Sequence, residues 1–134
     1  MICDSLIPIR QGRFPGRGLK SGIPPEPCAI FPAMHPEVGD IQIYDDGDEI
    51  TLVAGHFTHG HFSNYDDLPL AVKEKIIAGN VVTFLDKLFS DHVVLWGSKK
   101  GGGGWRVVDQ DSMDKTKHEK EYVWSGPRRI SYST

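Results

Sequence analysis

The strongest constraint on the fold of this chain is an acidic turn between two strand-like segments. Residues 40–44 alternate polar and apolar side chains, which is the two-residue period of a half-buried strand. The turn Asp45-Asp46-Gly47-Asp48 follows, and an Asp-Gly pair favours the tight turns that close antiparallel hairpins. Residues 50–57 are largely apolar on both faces, as is typical of a strand inside a sheet. The sequence therefore predicts a hairpin over residues 40–57.

A helical segment is predicted over residues 66–89. Asp66 and Asp67 are candidate N-caps, and Pro69 is tolerated only in the first turn of a helix. Two apolar stripes that do not share one face follow each other along the segment, with Gly79 near their junction. This offset predicts a kink or break at Gly79. The stripes consist of Leu68, Val72 and Ile76, and of Ile77, Val81, Phe84, Leu85 and Leu88.

Three further strands are predicted over residues 92–96, 105–108 and 121–124, which are rich in β-branched and aromatic residues. The glycine run 101–104 predicts a flexible turn between the first two of them, and residues 109–120 predict an exposed polar loop. The element order is β-β-α-β-β-β. This order predicts a two-layer α+β fold in which one helix covers a mainly antiparallel sheet of about five strands.

Residues 1–36 contain most of the prolines and several glycines, which disfavour regular helix. We expect an N-terminal arm over 1–36 that packs on the domain or extends from it as a partner-binding segment. The domain itself is predicted to span 37–127, and residues 128–134 a C-terminal tail.

The formal net charge is −3, so the chain gains nothing from counterion release on DNA or RNA, and a nucleic-acid partner is not expected. No apolar run approaches the roughly 20 residues of a membrane span, and Asp4 lies where a secretory signal would be basic. We therefore expect a soluble, cytoplasmic protein without a membrane partner. Cys3 and Cys28 are the only cysteines, and we expect two thiols, with a bridge between them as the alternative.

A histidine-rich segment at residues 56–61 is the most distinctive feature that could carry chemistry. His56, His59 and His61, with Asp66 nearby in sequence, offer ligands for a divalent transition metal such as zinc or nickel. In a regular strand His59 and His61 share one face and His56 lies on the other, so convergence of all three requires a bulge. His59 and His61 could instead act as acid–base groups. The alternative interpretation is a strand end whose histidines meet solvent.

Acidic and aromatic side chains suggest a recognition surface for a protein partner. The acidic turn lacks the spacing of a calcium-binding EF-hand loop, and hairpin geometry explains it. For Trp105 and Trp124 the sequence favours core packing over an aromatic binding face shared with Tyr44. The candidate partner-binding residues are Tyr44, Asp45, Asp46, Asp48, Asp66, Asp67, Trp105 and Trp124.

Three functional hypotheses remain open. The first is a small non-enzymatic module that docks another protein, as immunity proteins and adaptor subunits do by analogy of class. It needs no cofactor, and no catalytic residue is predicted, since the serines and cysteines lie in no nucleophile motif. The second is a metal- or histidine-dependent enzyme centred on His56, His59 and His61. The third is a self-associating structural protein, in which the partner is a second copy of the chain.

Overall fold

The computed structural model describes residues 2–6, 20–21, 26–97, 103–108 and 121–127. Within them, two helices and nine strands form two antiparallel sheets joined by the longer helix, which is an α+β architecture. The elements, in chain order, are α1 (Ile2–Ser5), β1 (Lys20–Ser21), β2 (Ala29–Phe31), β3 (Ile41–Asp45), β4 (Glu49–Ala54), β5 (Thr58–Ser63), α2 (Leu70–Phe89), β6 (Val93–Gly97), β7 (Gly103–Val107), β8 (Glu121–Val123) and β9 (Gly126–Pro127).

The first sheet has the strand order β1-β2-β3-β4-β5, with each strand antiparallel to the one before. The predicted hairpin is confirmed: β3 and β4 pair with Asp45 opposite Ile50, and β4 lies inside the sheet. Gly47 adopts a φ of +97°, which disfavours residues with a Cβ, and its N–H donates to Oδ1 of Asp45 at 2.9 Å. The return strand is shorter than predicted, because the chain turns at residues 55–57 before β5.

The second sheet has the order β7-β6-β8-β9. The predicted hairpin of β6 and β7 is confirmed, with Val93 opposite Val107. The prediction of a single sheet is wrong. The polar strand β5 was not predicted, and β5 meets β7 through side chains rather than through a hydrogen-bonded ladder. Gly103 and Gly104, predicted to lie in the turn, belong to β7.

Helix α2 runs without interruption through Gly79, so a break there is wrong. The predicted second stripe is buried in the core, whereas Leu68, Val72 and Ile76 of the first stripe are exposed. Because only one stripe needs burial, a single continuous helix satisfies the pattern. Pro69 occupies the N-cap position, so the prediction that Asp66 or Asp67 caps the helix is also wrong.

A series of aromatic contacts connects α2 to both sheets. Phe31 and Trp124 each pack edge-on against Phe89 at centroid distances of 5.1 Å. Phe84 packs against Trp105 at 4.6 Å. Ile41 and Leu52 belong to the same buried core cluster as the helix residues, but Val94 is buried outside this cluster. Alternation along β6 turns Val94 to the face opposite Val93 and Leu95.

The predicted N-terminal arm contributes to the fold in its described parts. Helix α1 lies against α2, and Ile2, Leu6 and Phe31 are buried. The expectation that regular helix is disfavoured throughout 1–36 is therefore wrong at α1, where buried apolar side chains stabilise the short helix. Residues 7–19, the predicted tip at 98–102, the predicted loop at 109–120 and the predicted tail at 128–134 lie outside the described residues.

Cys28 is buried and disulfide-bonded, so the expectation of a free thiol at this position is wrong. The side chain of Cys3, the other cysteine of the chain, lies outside the described part. In the described residues no helix combines the length and apolar character needed to cross a membrane.

Candidate functional site

The pairing of β4 with β5 creates a polar surface on one face of the first sheet. A tight turn at residues 55–57 reverses the chain, and Gly55, with a φ of +57°, lies where a Cβ would overlap the carbonyl of Val38. In the resulting register Thr51 lies opposite His61, and Val53 lies opposite His59. Because Ile50, Leu52 and Ala54 face the core, the alternate positions of both strands lie on the opposite side, here called the outer face.

Three side chains on or next to the outer face bring metal-ligating atoms together. The ligand atoms of Asp46, Glu49 and His61 all lie within 4.8 Å of one another. These three residues are here called the outer-face cluster. Nδ1 of His61 lies 3.3 Å from Oε1 of Glu49, which is its diagonal neighbour across the ladder. Asp46 reaches the group from the β3–β4 turn.

Thr51 connects the members of the outer-face cluster. Its hydroxyl donates to the carboxylate of Asp46 and lies 3.1 Å from Nδ1 of His61. The hydroxyl therefore restrains the orientation of both side chains. A hydrogen-bonded residue of this kind commonly orients metal ligands and supports their affinity.

The outer-face cluster is accessible to ions from solvent. The side chain of His61 is 48% exposed and that of Glu49 is 29% exposed. Two carboxylates beside one imidazole combine negative charge with a nitrogen donor, which suits zinc or nickel. Three protein ligands also leave room for a water molecule or a substrate atom in the coordination sphere.

The histidines predicted as metal ligands separate into different environments. His59 lies on the outer face, and its ring centroid is 5.3 Å from that of His61. His56 is exposed in the turn, where its ring lies close to Gly39. Within the described part of the chain, neither His56 nor Asp66 joins the outer-face cluster. The backbone N–H of Asp66 instead donates a hydrogen bond to Oδ1 of Asn64 at 2.9 Å.

Two residues of the site, Glu49 and Thr51, were not predicted from the sequence as functional residues. Both could have been found from the Asp-Gly turn, which sets the hairpin register and places positions 49, 51 and 53 on one face. The sequence did not predict that residues 58–63 form a strand. Once that segment is paired with β4, His61 is brought opposite Thr51.

Comparisons with protein-family models, with curated proteins and with solved structures found no match. What this chain binds therefore has to be inferred from the placement of its own residues.

The aromatic residues considered for partner binding lie largely inside the protein. Trp124 is 1% exposed, and Trp105 packs against the core, in agreement with the interpretation that the sequence favoured. Tyr44 is half-buried, and its hydroxyl donates to Oε1 of Gln42 at 2.7 Å. These residues form no shared aromatic surface among the described residues.

The acidic residues considered for partner binding fall into two exposed groups and one buried position. Asp45 is 8% exposed, and its carboxylate accepts the hydrogen bond from the Gly47 N–H in the turn. Asp46 and Asp48 are exposed in the β3–β4 turn, and Asp66 and Asp67 are exposed just before α2.

Proposed function

We propose that the protein binds a divalent transition metal ion, zinc or nickel, through the outer-face cluster. The observation that carries this proposal is the convergence of one imidazole nitrogen and two carboxylates within 4.8 Å. Nitrogen and oxygen donors of this number form catalytic zinc sites with one position left for water. Glu49 and His61 lie on paired strands, which supports the proposal, since strands hold ligands more rigidly than loops do.

A bound metal ion would make hydrolytic chemistry available at the outer face. A metal ion with one open coordination position would lower the pKa of a water molecule bound there, or would polarise a carbonyl or phosphoryl oxygen. His59 lies beside His61 and is exposed, so it could exchange protons with a substrate at the ion. This arrangement supports the hypothesis of a metal- or histidine-dependent enzyme, with His61 as the ligand and His59 as the acid–base group.

Titration of metal-free protein with zinc or nickel, followed by dialysis and elemental analysis, tests the proposal. We expect about one ion per chain for the wild type, and a loss of affinity of at least about tenfold for His61→Ala and for Glu49→Gln. His56→Ala is the matched control, because it removes an exposed histidine of the same segment outside the cluster. Wild-type loading below roughly a tenth of an ion per chain, or equal loading of His61→Ala, would contradict the proposal.

Thr51→Val provides a finer test of the same site. The substitution keeps the shape and the β-propensity of the side chain and removes only the hydroxyl that joins Asp46 to His61. We expect metal affinity to fall by about tenfold while the fold is retained. An unchanged affinity would show that the hydroxyl does not position the ligands.

We also propose that the protein is a binding module, and one surface favours this second function. The region before and within the first half of α2 exposes Leu68 at 38%, Val72 at 43% and Ile76 at 36% along one side of the helix. Asp66 and Asp67 border these apolar side chains with negative charge. Contiguous exposed apolar residues with a charged rim are typical of protein–protein contact sites.

Photo-cross-linking in cells tests this docking surface directly. A photoreactive amino acid in place of Val72 is expected to give a cross-linked product. The same group in place of the exposed His56, in the turn at the opposite end of the β4–β5 hairpin, is expected to give none. A chain that yields no product from position 72 would contradict the docking proposal.

A further inference from the structure

The solvent side of α2 carries a continuous line of residues that resembles a helix-packing seam. Leu68, Val72, Ile76, Gly79 and Thr83 follow one another at spacings of three or four residues, so they lie on one side of the helix and its approach. All five are exposed. These five residues are here called the α2 seam.

Large and small side chains occupy opposite halves of the α2 seam. The first half exposes Leu68, Val72 and Ile76, the last at 36%. In the second half, a Cβ at Gly79 would meet nothing within 4 Å, so space is open above the helix backbone there. The Thr83 hydroxyl donates to the Gly79 carbonyl at 2.9 Å, so an apolar group could cover Thr83 without leaving its donor unpaired.

We propose that the α2 seam binds the α2 seam of a second copy of this chain in an antiparallel helix pair; this inference rests on the docking function proposed above. With the two-fold axis between residues 77 and 78, Ile76 lies opposite Gly79 of the second copy, and Val72 lies opposite its Thr83. Each large side chain then fills space beside a small one. A glycine at the crossing point allows the helix axes to approach at the lower end of the usual range of about 8–10 Å.

The charges at the ends of the helix select this orientation. Asp66 and Asp67 are exposed before α2, and Lys87 is exposed in its last turn. In the antiparallel pair Leu68 lies opposite Lys87 of the second copy, which brings Asp67 beside that ammonium group. The contact occurs twice by symmetry. A parallel pair would instead place like charges together, which is unfavourable.

The size of the surface predicts a weak dimer. One helix–helix contact is smaller than the roughly 1,600 Å² of a standard stable interface. Sedimentation equilibrium should therefore extend from about 10 µM to about 1 mM. We expect a reversible monomer–dimer equilibrium within this range, and a chain that stays monomeric throughout would overturn the inference.

Ile76→Glu tests the centre of the α2 seam, and Leu70→Glu is its matched control. Both substitutions place a carboxylate at an exposed apolar position of α2. Position 70 lies in line with the buried residues Ile77 and Val81, on the other side of the helix from the seam. We expect Ile76→Glu to abolish dimerisation and Leu70→Glu to leave it unchanged. Equal behaviour of the two variants would overturn the inference.

A charge exchange tests the orientation. We expect Asp67→Lys and Lys87→Asp each to weaken dimerisation by about tenfold, since each alters two symmetry-related pairs. The double variant restores opposite charges across the interface and should recover most of the wild-type affinity. Circular dichroism of each variant confirms that α2 is retained. A double variant no tighter than the single ones would overturn the antiparallel arrangement.

The photo-cross-link at position 72 separates this inference from the docking function on which it rests. A product of twice the mass of the chain supports the second copy. A product with a different protein alone overturns the second copy and leaves the docking function standing. The absence of any product overturns both.

Discussion

Arg106 and Glu121 form an ion pair that spans strand β6 on the face of the second sheet opposite the core. The Glu121 side chain is 1% exposed, and that of Arg106 is 21% exposed. The Arg106 Cζ atom also lies 5.3 Å from the centroid of the Trp96 ring, a distance at which the guanidinium is attracted to the aromatic face. The Glu121 carboxylate is therefore shielded from water, and the positive charge of Arg106 stabilises its negative charge.

Removal of Glu121 should therefore destabilise the fold strongly. We expect Glu121→Ala to lower the free energy of unfolding by about 3–5 kcal/mol, because it leaves the Arg106 charge without this partner. The double variant Arg106→Met/Glu121→Ala should be much less destabilised than the sum of the single variants Arg106→Met and Glu121→Ala. Chemical denaturation of the four proteins measures this coupling, and additive losses would show that the two side chains do not act as a pair.

The local elements of this fold were predictable from the sequence because their signals lie within a few residues. The Asp-Gly turn and the alternation of residues 40–44 define the β3–β4 hairpin. Ile77, Val81 and Leu88 define the buried side of α2. In each case the period of apolar side chains indicates both the element and the face that it buries.

The arrangement of these elements was not predictable, because it depends on contacts between distant segments. Strand β5 is rich in histidine and poor in apolar residues, so its strand character arises from pairing with β4 rather than from its own composition. The division into two sheets likewise depends on Trp105 packing against Phe62 and Phe84.

The candidate metal site shows the same limit. His61 was predicted as a ligand from residue type alone, and Asp46 was predicted only as part of an acidic surface. Their association with Glu49 requires the register of two consecutive hairpins. His56 and Asp66 were chosen for their proximity in sequence, which does not ensure proximity in space.

Reduction of the disulfide at Cys28 should lower the stability of the protein. Cys28 is buried next to the first sheet, and its N–H donates to the Ile43 carbonyl at 2.8 Å. Loss of a disulfide typically lowers the free energy of unfolding by about 2–4 kcal/mol. Thermal unfolding with and without a reductant measures the effect. Alkylation under native and denaturing conditions determines whether Cys28 carries a free thiol. An alkylated Cys28 in denatured, unreduced protein would contradict the prediction.

The disulfide at Cys28 is also relevant to the cellular compartment in which the protein resides. A cytoplasmic location remains a prediction of the sequence, whereas a persistent disulfide favours an oxidising environment. The thiol state of Cys28 in protein taken directly from cells therefore tests both statements at once.

Gly60→Ala should destabilise the contact between the two sheets. A Cβ at this position would overlap the Trp105 ring, which packs against Phe84. Trp105 would have to move away from its place in the core, at a cost of about 1–3 kcal/mol. Denaturant unfolding together with the emission spectrum of the tryptophans measures this change. A variant as stable as the wild type would show that Trp105 is free to shift.

Gly79→Ala should act in opposite directions on the monomer and on the proposed dimer. Gly79 lies in the interior of α2, and a Cβ there would meet nothing within 4 Å, so alanine should stabilise the isolated chain by up to about 1 kcal/mol through helix propensity. In the antiparallel pair the added methyl group lies opposite Ile76 of the second copy and forces the helices apart, which weakens association. Thermal unfolding at a concentration where the chain is monomeric measures the first effect, and sedimentation equilibrium measures the second. A variant that gains monomer stability and dimerises as tightly as the wild type would show that Gly79 does not lie at the crossing point.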